Sequence, residues 1–111
     1  MAKDPDCIFC KIVAGEIPTP LVGSNELAIA FNDIAPRKPV HILVVPREHH
    51  KNVVELADSS AAELHAVVSL ANEMAEKFSQ GSFRLTFNTG AAAGQTVFHA
   101  HAHVTAESIR A

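Results

Sequence analysis

Three histidines at alternate positions, His99, His101 and His103, are the residues of this sequence best equipped for chemistry. They stand in Phe98-His99-Ala100-His101-Ala102-His103-Val104, where imidazole and apolar side chains alternate. In a strand, side chains alternate between faces, so the three rings project from one side. Phe98, Ala100, Ala102 and Val104 project from the other and can pack on a core. At roughly 3.3 Å of rise per residue the outer rings are about 13 Å apart. One metal ion does not easily take all three, which favours separate roles. Imidazole has an unperturbed pKa close to neutral, and its uncharged ring nitrogen can attack phosphorus or acyl carbon. The pattern alone leaves open a polar strand face or a metal-scavenging tract.

Before the ladder comes a segment without bulk, Gly90-Ala91-Ala92-Ala93-Gly94-Gln95-Thr96. Small residues let backbone N–H groups approach an anion, and Asn88, Gln95 and Thr96 add neutral donors. An anion held beside a nucleophilic imidazole suits phosphoryl or nucleotidyl transfer. The plainer alternative is a flexible hairpin loop. A second cluster is Cys7-x-x-Cys10. The first residues, Met1 to Asp6, are polar, and no apolar run of about 18 residues occurs, so neither a signal-peptide core nor a transmembrane helix is expected. That implies a cytoplasmic protein, in which the two cysteines are metal ligands or redox-active rather than a bridge. A thioredoxin-like role needs a preceding strand, and none fits before residue 7.

The elements that must position these groups follow from spacing and punctuation. Ile8 to Ala14 reads as a short helix stopped by Gly15. Pro18 and Pro20 mark an extended link. Leu27 to Phe31 and Val40 to Val45 read as strands, the second ending at Pro46. Ser60 and Glu63 form a capping box that opens a helix to Ser79. Leu64, Val67, Val68, Ala71, Met74, Ala75 and Phe78 make its core stripe. Phe83 to Asn88 alternates as a half-buried strand, and Val97 to Val104 is the last strand. One long helix, one short N-terminal helix and about five strands predict an α+β fold with a five-stranded antiparallel sheet, as a single domain over 1–111.

Composition bounds the partners. The 111 residues carry nine basic and twelve acidic side chains, a net charge of −3, with no Trp or Tyr. That is not the basic, aromatic footprint of nucleic-acid binding. There are seven histidines, of which His50 and His65 read as surface residues.

The sequence resembles the histidine triad (HIT) family, in its nucleotide-binding branch. His99-Ala100-His101-Ala102-His103-Val104 fits the family's His-φ-His-φ-His-φ-φ signature, φ being apolar, and Thr105 departs at its last position. Gly94-Gln95-Thr96-Val97-Phe98, Cys7-Ile8-Phe9-Cys10-Lys11-Ile12, Phe31-Asn32-Asp33-Ile34-Ala35-Pro36 and His41 to Pro46, with His49 beyond, are also family-like and in the expected order. The resemblance implies a hydrolase or transferase of nucleotides, working as a homodimer with a sheet continuous across its interface. It makes His101 the nucleophile on the α-phosphorus and sets His103 near the leaving atom. Asn88, Gly94 and Thr96 match phosphate-holding positions, and Asp33 the ribose-binding acid. Ile8, Phe9, Phe31, Asn32 and Ile34 match the base pocket, for which a purine is expected. His41 matches a histidine behind the nucleophile. Similar bacterial members pair the two cysteines with two histidines, here His49 and His99, in a structural zinc site. His99 is then a ligand more than a catalyst, and no catalytic metal is expected. Thr105 to Ala111 does not match the family's usual continuation, so the leaving-group side is expected to differ. The activity implied is release of a nucleoside 5'-monophosphate from an amine or acyl group through a nucleotidyl-histidine. The alternatives are dinucleoside polyphosphate hydrolysis, nucleotidyl transfer, a binding module with little turnover, or metal storage.

Overall fold

A computed structural model describes residues 4–109. The expectation drawn from Met1 to Lys3 lies outside these residues, as do Arg110 and Ala111 of the tail. The chain runs α1 (Ile8–Val13), β1 (Leu21–Ser24), β2 (Ala28–Asn32), β3 (Val40–Pro46), α2 (Val53–Ser59), α3 (Ala61–Phe78), β4 (Arg84–Phe87), a short 3₁₀ turn (Ala91–Ala93) and β5 (Ala102–Ala106). The strands form one antiparallel sheet in the order β1-β2-β3-β5-β4. This is the α+β architecture expected from the sequence.

The two faces of the sheet are covered differently. Even-numbered residues of β3 and β5, namely Val40, Ile42, Val44, Ala102, Val104 and Ala106, pack beneath α3 against Val67, Leu70, Ala71 and Met74. Gly23 of β1 sits so close to α3 that a Cβ there would meet Met74 Cε at 2.5 Å. The opposite face carries Ile29, Phe31, Leu43 and Val45, covered by Cys7, Phe9 and Cys10 of the α1 region. Pairing aligns Phe31, Leu43, His103 and Thr86 in one row across the sheet, and His41, Thr105 and Arg84 in a neighbouring row on the same face.

Three elements differ from those expected. Val53–Ser59 is a helix with Asn52 as its cap, and Ser60, in an extended conformation, separates it from α3. Leu21–Ser24, to which the spacing assigns no element, is an edge strand. The last strand starts at Ala102 rather than Val97. Pro46 ends β3 and has no N–H to continue the ladder, and the Ala100 amide donates to the His50 carbonyl instead, at 2.6 Å. The alternation of side chains nevertheless persists upstream: Ala100 joins the α3-side core, while His99 and His101 lie against Phe9.

Candidate active site and thiol–imidazole centre

The backbone orients each ring of the ladder. His101 Nδ1 lies 2.8 Å from the carbonyl oxygen of His99. A carbonyl only accepts, so Nδ1 carries the hydrogen and Nε2 keeps its lone pair. His99 Nε2 is 2.8 Å from the Pro46 carbonyl, so its Nδ1 is the unprotonated nitrogen. The Arg37 amide donates to His41 Nδ1 at 3.1 Å, which puts the hydrogen of His41 on Nε2. That Nε2–H faces His103 Nδ1 at 3.1 Å and Asp33 Oδ2 at 3.3 Å. His103 Nδ1 therefore accepts, and its Nε2 carries the hydrogen. This Nε2–H is buried with no partner among the described residues, as a donor reserved for a ligand would be.

All three rings of the ladder are uncharged near neutral pH. Burial is the main cause each time. It lowers His101 below the ordinary imidazole value, and it lowers His99 and His103 to about 4. Neighbouring imidazoles push His99 and His103 in the same direction. A carbonyl-held, uncharged ring with an open Nε2 has the form of a nucleophile.

Around these rings the expected ligand-binding residues divide. Phe9 meets Phe31, His99 and His101 edge to face at 5.6, 5.9 and 5.1 Å between centroids. With Leu43, unremarked in the sequence though two residues from His41 and so on its face, Phe9 and Phe31 form an apolar floor. Ile8 stands half-exposed at its edge. Ile34 is 99% exposed, beyond the end of β2. Asn32 pairs with Ile42, whose face is covered by α3, so its side chain is on the side away from the ladder. Asp33 has its Oδ1 on the Ala35 amide at 2.9 Å and its other oxygen toward His41. His41 itself lies against His103 rather than behind His101.

The small-residue loop is more self-contained than the sequence implies. Gly90 and Gly94 adopt φ of 89° and 92°, a region that favours glycine. The amides of Ala93, Gly94 and Gln95 close the turn on Gly90 and Ala91 carbonyls, so they are not aimed at an anion. Gln95 is buried, not a ligand-facing donor. Its oxygen accepts from the Gly90 amide, and its nitrogen donates to Lys51 and Val97 carbonyls. Thr96 and Gly94 are exposed, and Asn88 follows the Phe87–Ala102 pair, which brings it beside His101. His50, expected at the surface, is buried. Its Nε2 meets Glu63 Oε1 at 3.0 Å under the start of α3, so ring and carbonyl together tie that helix to the ladder. His65 is exposed as expected.

Cys7, Cys10, His49 and His99 converge, with their donor atoms all within 4.8 Å of one another. Cys7 Sγ and Cys10 Sγ lie 3.4 and 3.5 Å from His99 Nδ1, and Cys10 Sγ is 3.3 Å from His49 Nδ1. A tetrahedron with bonds of about 2.3 Å to sulfur and about 2.05 Å to nitrogen has sulfur–nitrogen edges of roughly 3.5 Å. His99 presents its unprotonated nitrogen and donates the other to a carbonyl, the usual support of a ligating imidazole. The donor set therefore fits zinc. Asp33, His41 and His103 also converge. There the Arg37 amide claims the lone pair on His41 Nδ1, and Nε2 offers a hydrogen rather than a ligand.

Residues 14–108 match the sequence model of the HIT domain. The chain is 41% identical over 100 residues to the Bacillus subtilis protein hit, covering 89% of this chain and 69% of that one. It is 38% identical over 98 residues to an adenosine 5'-monophosphoramidase of Schizosaccharomyces pombe, covering 88% and 71%. Among solved structures it is similar to a HIT family hydrolase from Clostridium thermocellum, with a TM-score of 0.86, 42% identity and coverage of 93% and 91%. No helix among the described residues is long and apolar enough to cross a membrane. The alternate rings, the fold and these relatives agree: the chain belongs to the histidine triad family, in its nucleotide-binding branch.

Proposed function

We propose that the protein hydrolyses the bond between a nucleoside 5'-monophosphate and an amine or acyl group. The observation that carries this reading is the pairing of His101 Nδ1 with the His99 carbonyl. It leaves an uncharged Nε2 lone pair next to a buried, unpartnered Nε2–H on His103, with 4.9 Å between ring centroids. One ring attacks and the other donates.

The base, a purine by preference, lies on the Phe9–Phe31–Leu43 floor, and Asp33 turns one oxygen to the ribose hydroxyls. Asn88 and Thr96 hold the α-phosphate beside the Gly94 turn. His101 Nε2 bonds to phosphorus as the bond to the leaving atom breaks, and His103 Nε2–H donates a hydrogen bond to that atom, which departs as a carboxylate or, having taken a proton from solvent, as a neutral amine. Water then displaces His101 and releases the nucleotide. The rate comes chiefly from positioning and from fixed donors. A homodimer, as the family resemblance implies, is the working unit.

Cys7, Cys10, His49 and His99 would hold zinc with no coordination position left for substrate. The ion would supply a structural tie between α1 and the ladder. Cys7 and Cys10 flank Phe9, so these two cysteines fix the ring that packs on His101.

The test is turnover of an adenosine phosphoramidate with single-turnover trapping of label on the protein. Wild-type protein should carry nucleotide label on His101, and His101→Ala should show neither label nor turnover. Hydrolysis by His101→Ala at the wild-type rate would falsify the mechanism.

A further inference from the structure

One peptide group links the nucleophile to the rest of the fold. Its oxygen is the His99 carbonyl that takes the His101 Nδ1 hydrogen at 2.8 Å. Its N–H is that of Ala100, which donates to the His50 carbonyl at 2.6 Å. A peptide is planar and rigid, so these two groups turn together. Whatever holds the Ala100 N–H therefore aims His101. The sheet does not hold it, because pairing of β5 with β3 and β4 starts at Ala102. His50 lies in the connection between β3 and α2. The next carbonyl, that of Lys51, accepts from Gln95 Nε2 at 2.8 Å. Two consecutive carbonyls thus hold the ladder peptide and, through Gln95, the small-residue turn at Gly90.

The His50 side chain ties this pair of carbonyls to α3. It is 7% exposed, and its Nε2 meets Glu63 Oε1 at 3.0 Å. A carboxylate only accepts, so Nε2 carries the hydrogen. Glu63 is itself fixed, since its amide donates to the Ser60 cap of α3 at 3.1 Å. A connecting segment without such an anchor moves more than the elements it joins. Neither His50 nor Glu63 touches the nucleotide in the reaction proposed above. A small tilt of the attacking ring is nevertheless costly, because the reacting atoms must stay aligned. Resting on that reaction, we infer that His50, anchored by Glu63, is a positioning residue: its carbonyl holds the 99–100 peptide at the angle that points His101 Nε2 at phosphorus.

The experiment compares Glu63→Leu, which keeps a side chain of similar reach and removes the acceptor, with Glu63→Gln, whose amide oxygen still takes the His50 hydrogen. Asn25→Ala is the stability control, since Asn25 lies in the β1–β2 turn and donates to the Ala66 carbonyl of α3 at 3.0 Å. The ¹H shift of His101 Nδ1–H is read together with steady-state kinetics on an adenosine phosphoramidate. In Glu63→Leu that proton should move upfield as its bond to the His99 carbonyl loosens. Its kcat should fall about tenfold, the worth of one charge-assisted hydrogen bond, and by more than KM rises. Glu63→Gln should keep the wild-type shift and most of kcat. Asn25→Ala should melt at a lower temperature with shift and kcat unchanged. In wild-type protein the Ala100 amide should exchange slowly although it lies outside the sheet. A wild-type shift and kcat in Glu63→Leu, an equal loss in Glu63→Gln or Asn25→Ala, or fast exchange at Ala100 overturns the inference. If Glu63→Leu does not fold, His50→Phe, which keeps a ring and removes the donor, takes its place with the same expectations. If wild-type protein hydrolyses no phosphoramidate, the hydrolase reading falls, and the His101 shift still decides whether His50 and Glu63 hold that ring.

Discussion

Replacing His41 with alanine separates the chemistry of His103 from its packing. His41 accepts from the Arg37 amide and donates to His103 Nδ1, and this fixes the hydrogen of His103 on Nε2. Without it, His103 Nδ1 becomes a buried acceptor with no donor, and the ring can flip or change tautomer. Leaving such an acceptor unsatisfied costs about 1–3 kcal/mol. Felt in the transition state, where His103 faces the leaving atom, that cost lowers kcat roughly ten- to hundredfold. KM should move less than kcat, because His41 reaches the nucleotide only through Asp33 Oδ2, at 3.3 Å. His41→Gln retains an N–H of similar reach and should recover part of the rate. Steady-state kinetics on a phosphoramidate give both numbers. The ¹⁵N shifts of His103 report its tautomer directly, with Nε2 protonated in wild-type protein and a mixture in His41→Ala. A His41→Ala enzyme within twofold of wild-type kcat, or with the His103 tautomer unchanged, refutes the relay.

Other consequences can be checked in the same way. Protonation of His101 removes its lone pair, and burial holds its pKa below the ordinary value. Plotted against pH, kcat/KM should therefore be level near neutrality and fall on an acid limb centred below pH 6.5; a limb at or above 6.5 contradicts the burial argument. In metal-stripped protein, His99 and His103 titrate near 4 when folded and near 6.5 when unfolded. The unfolded chain binds protons first as pH drops, so the urea midpoint should be highest above pH 6.5 and decline between 6.5 and 4; a midpoint that rises over that window would be inconsistent. Metal analysis should find one zinc per chain, lost in Cys10→Ser together with a lower melting temperature, and an equal melting temperature with and without chelator argues against the clamp. Gly94→Ala forces a side chain into φ of 92° and should cost about 1–2 kcal/mol, seen in denaturant melts and as a raised KM; an unperturbed melt counts against the turn.

Much of this was legible in the chain. The stripe from Leu64 to Phe78 with its Ser60–Glu63 cap gave α3, and the alternation around His101 gave the two faces even where no ladder hydrogen bonds run. Other features were less accessible for identifiable reasons. Asn52 and Glu55 repeat the spacing of Ser60 and Glu63 and so carry the signal for α2. Asn32 does not join the pocket wall, because strand parity after Phe31 turns it to the α3 side. Gln95 looked like a ligand donor because polar residues in small loops read alike; only the Gly90, Lys51 and Val97 backbone groups around it reveal its bracing role. The tautomers were out of reach, since main-chain groups of Arg37, Pro46 and His99 impose them and side-chain identity carries no trace of such partners.

His99 contributes to two centres through different atoms, its ring to the thiols and its carbonyl to His101. The second contribution survives any replacement of the side chain, because every amino acid supplies the same peptide oxygen. Genetic drift at this position could thus erase the sulfur-rich anchor while leaving the attacking ring aimed. The two centres are thus separable at the level of single positions: a change of side chain at 99 removes the thiol contacts, and only a change at 101 removes the ring that the carbonyl orients.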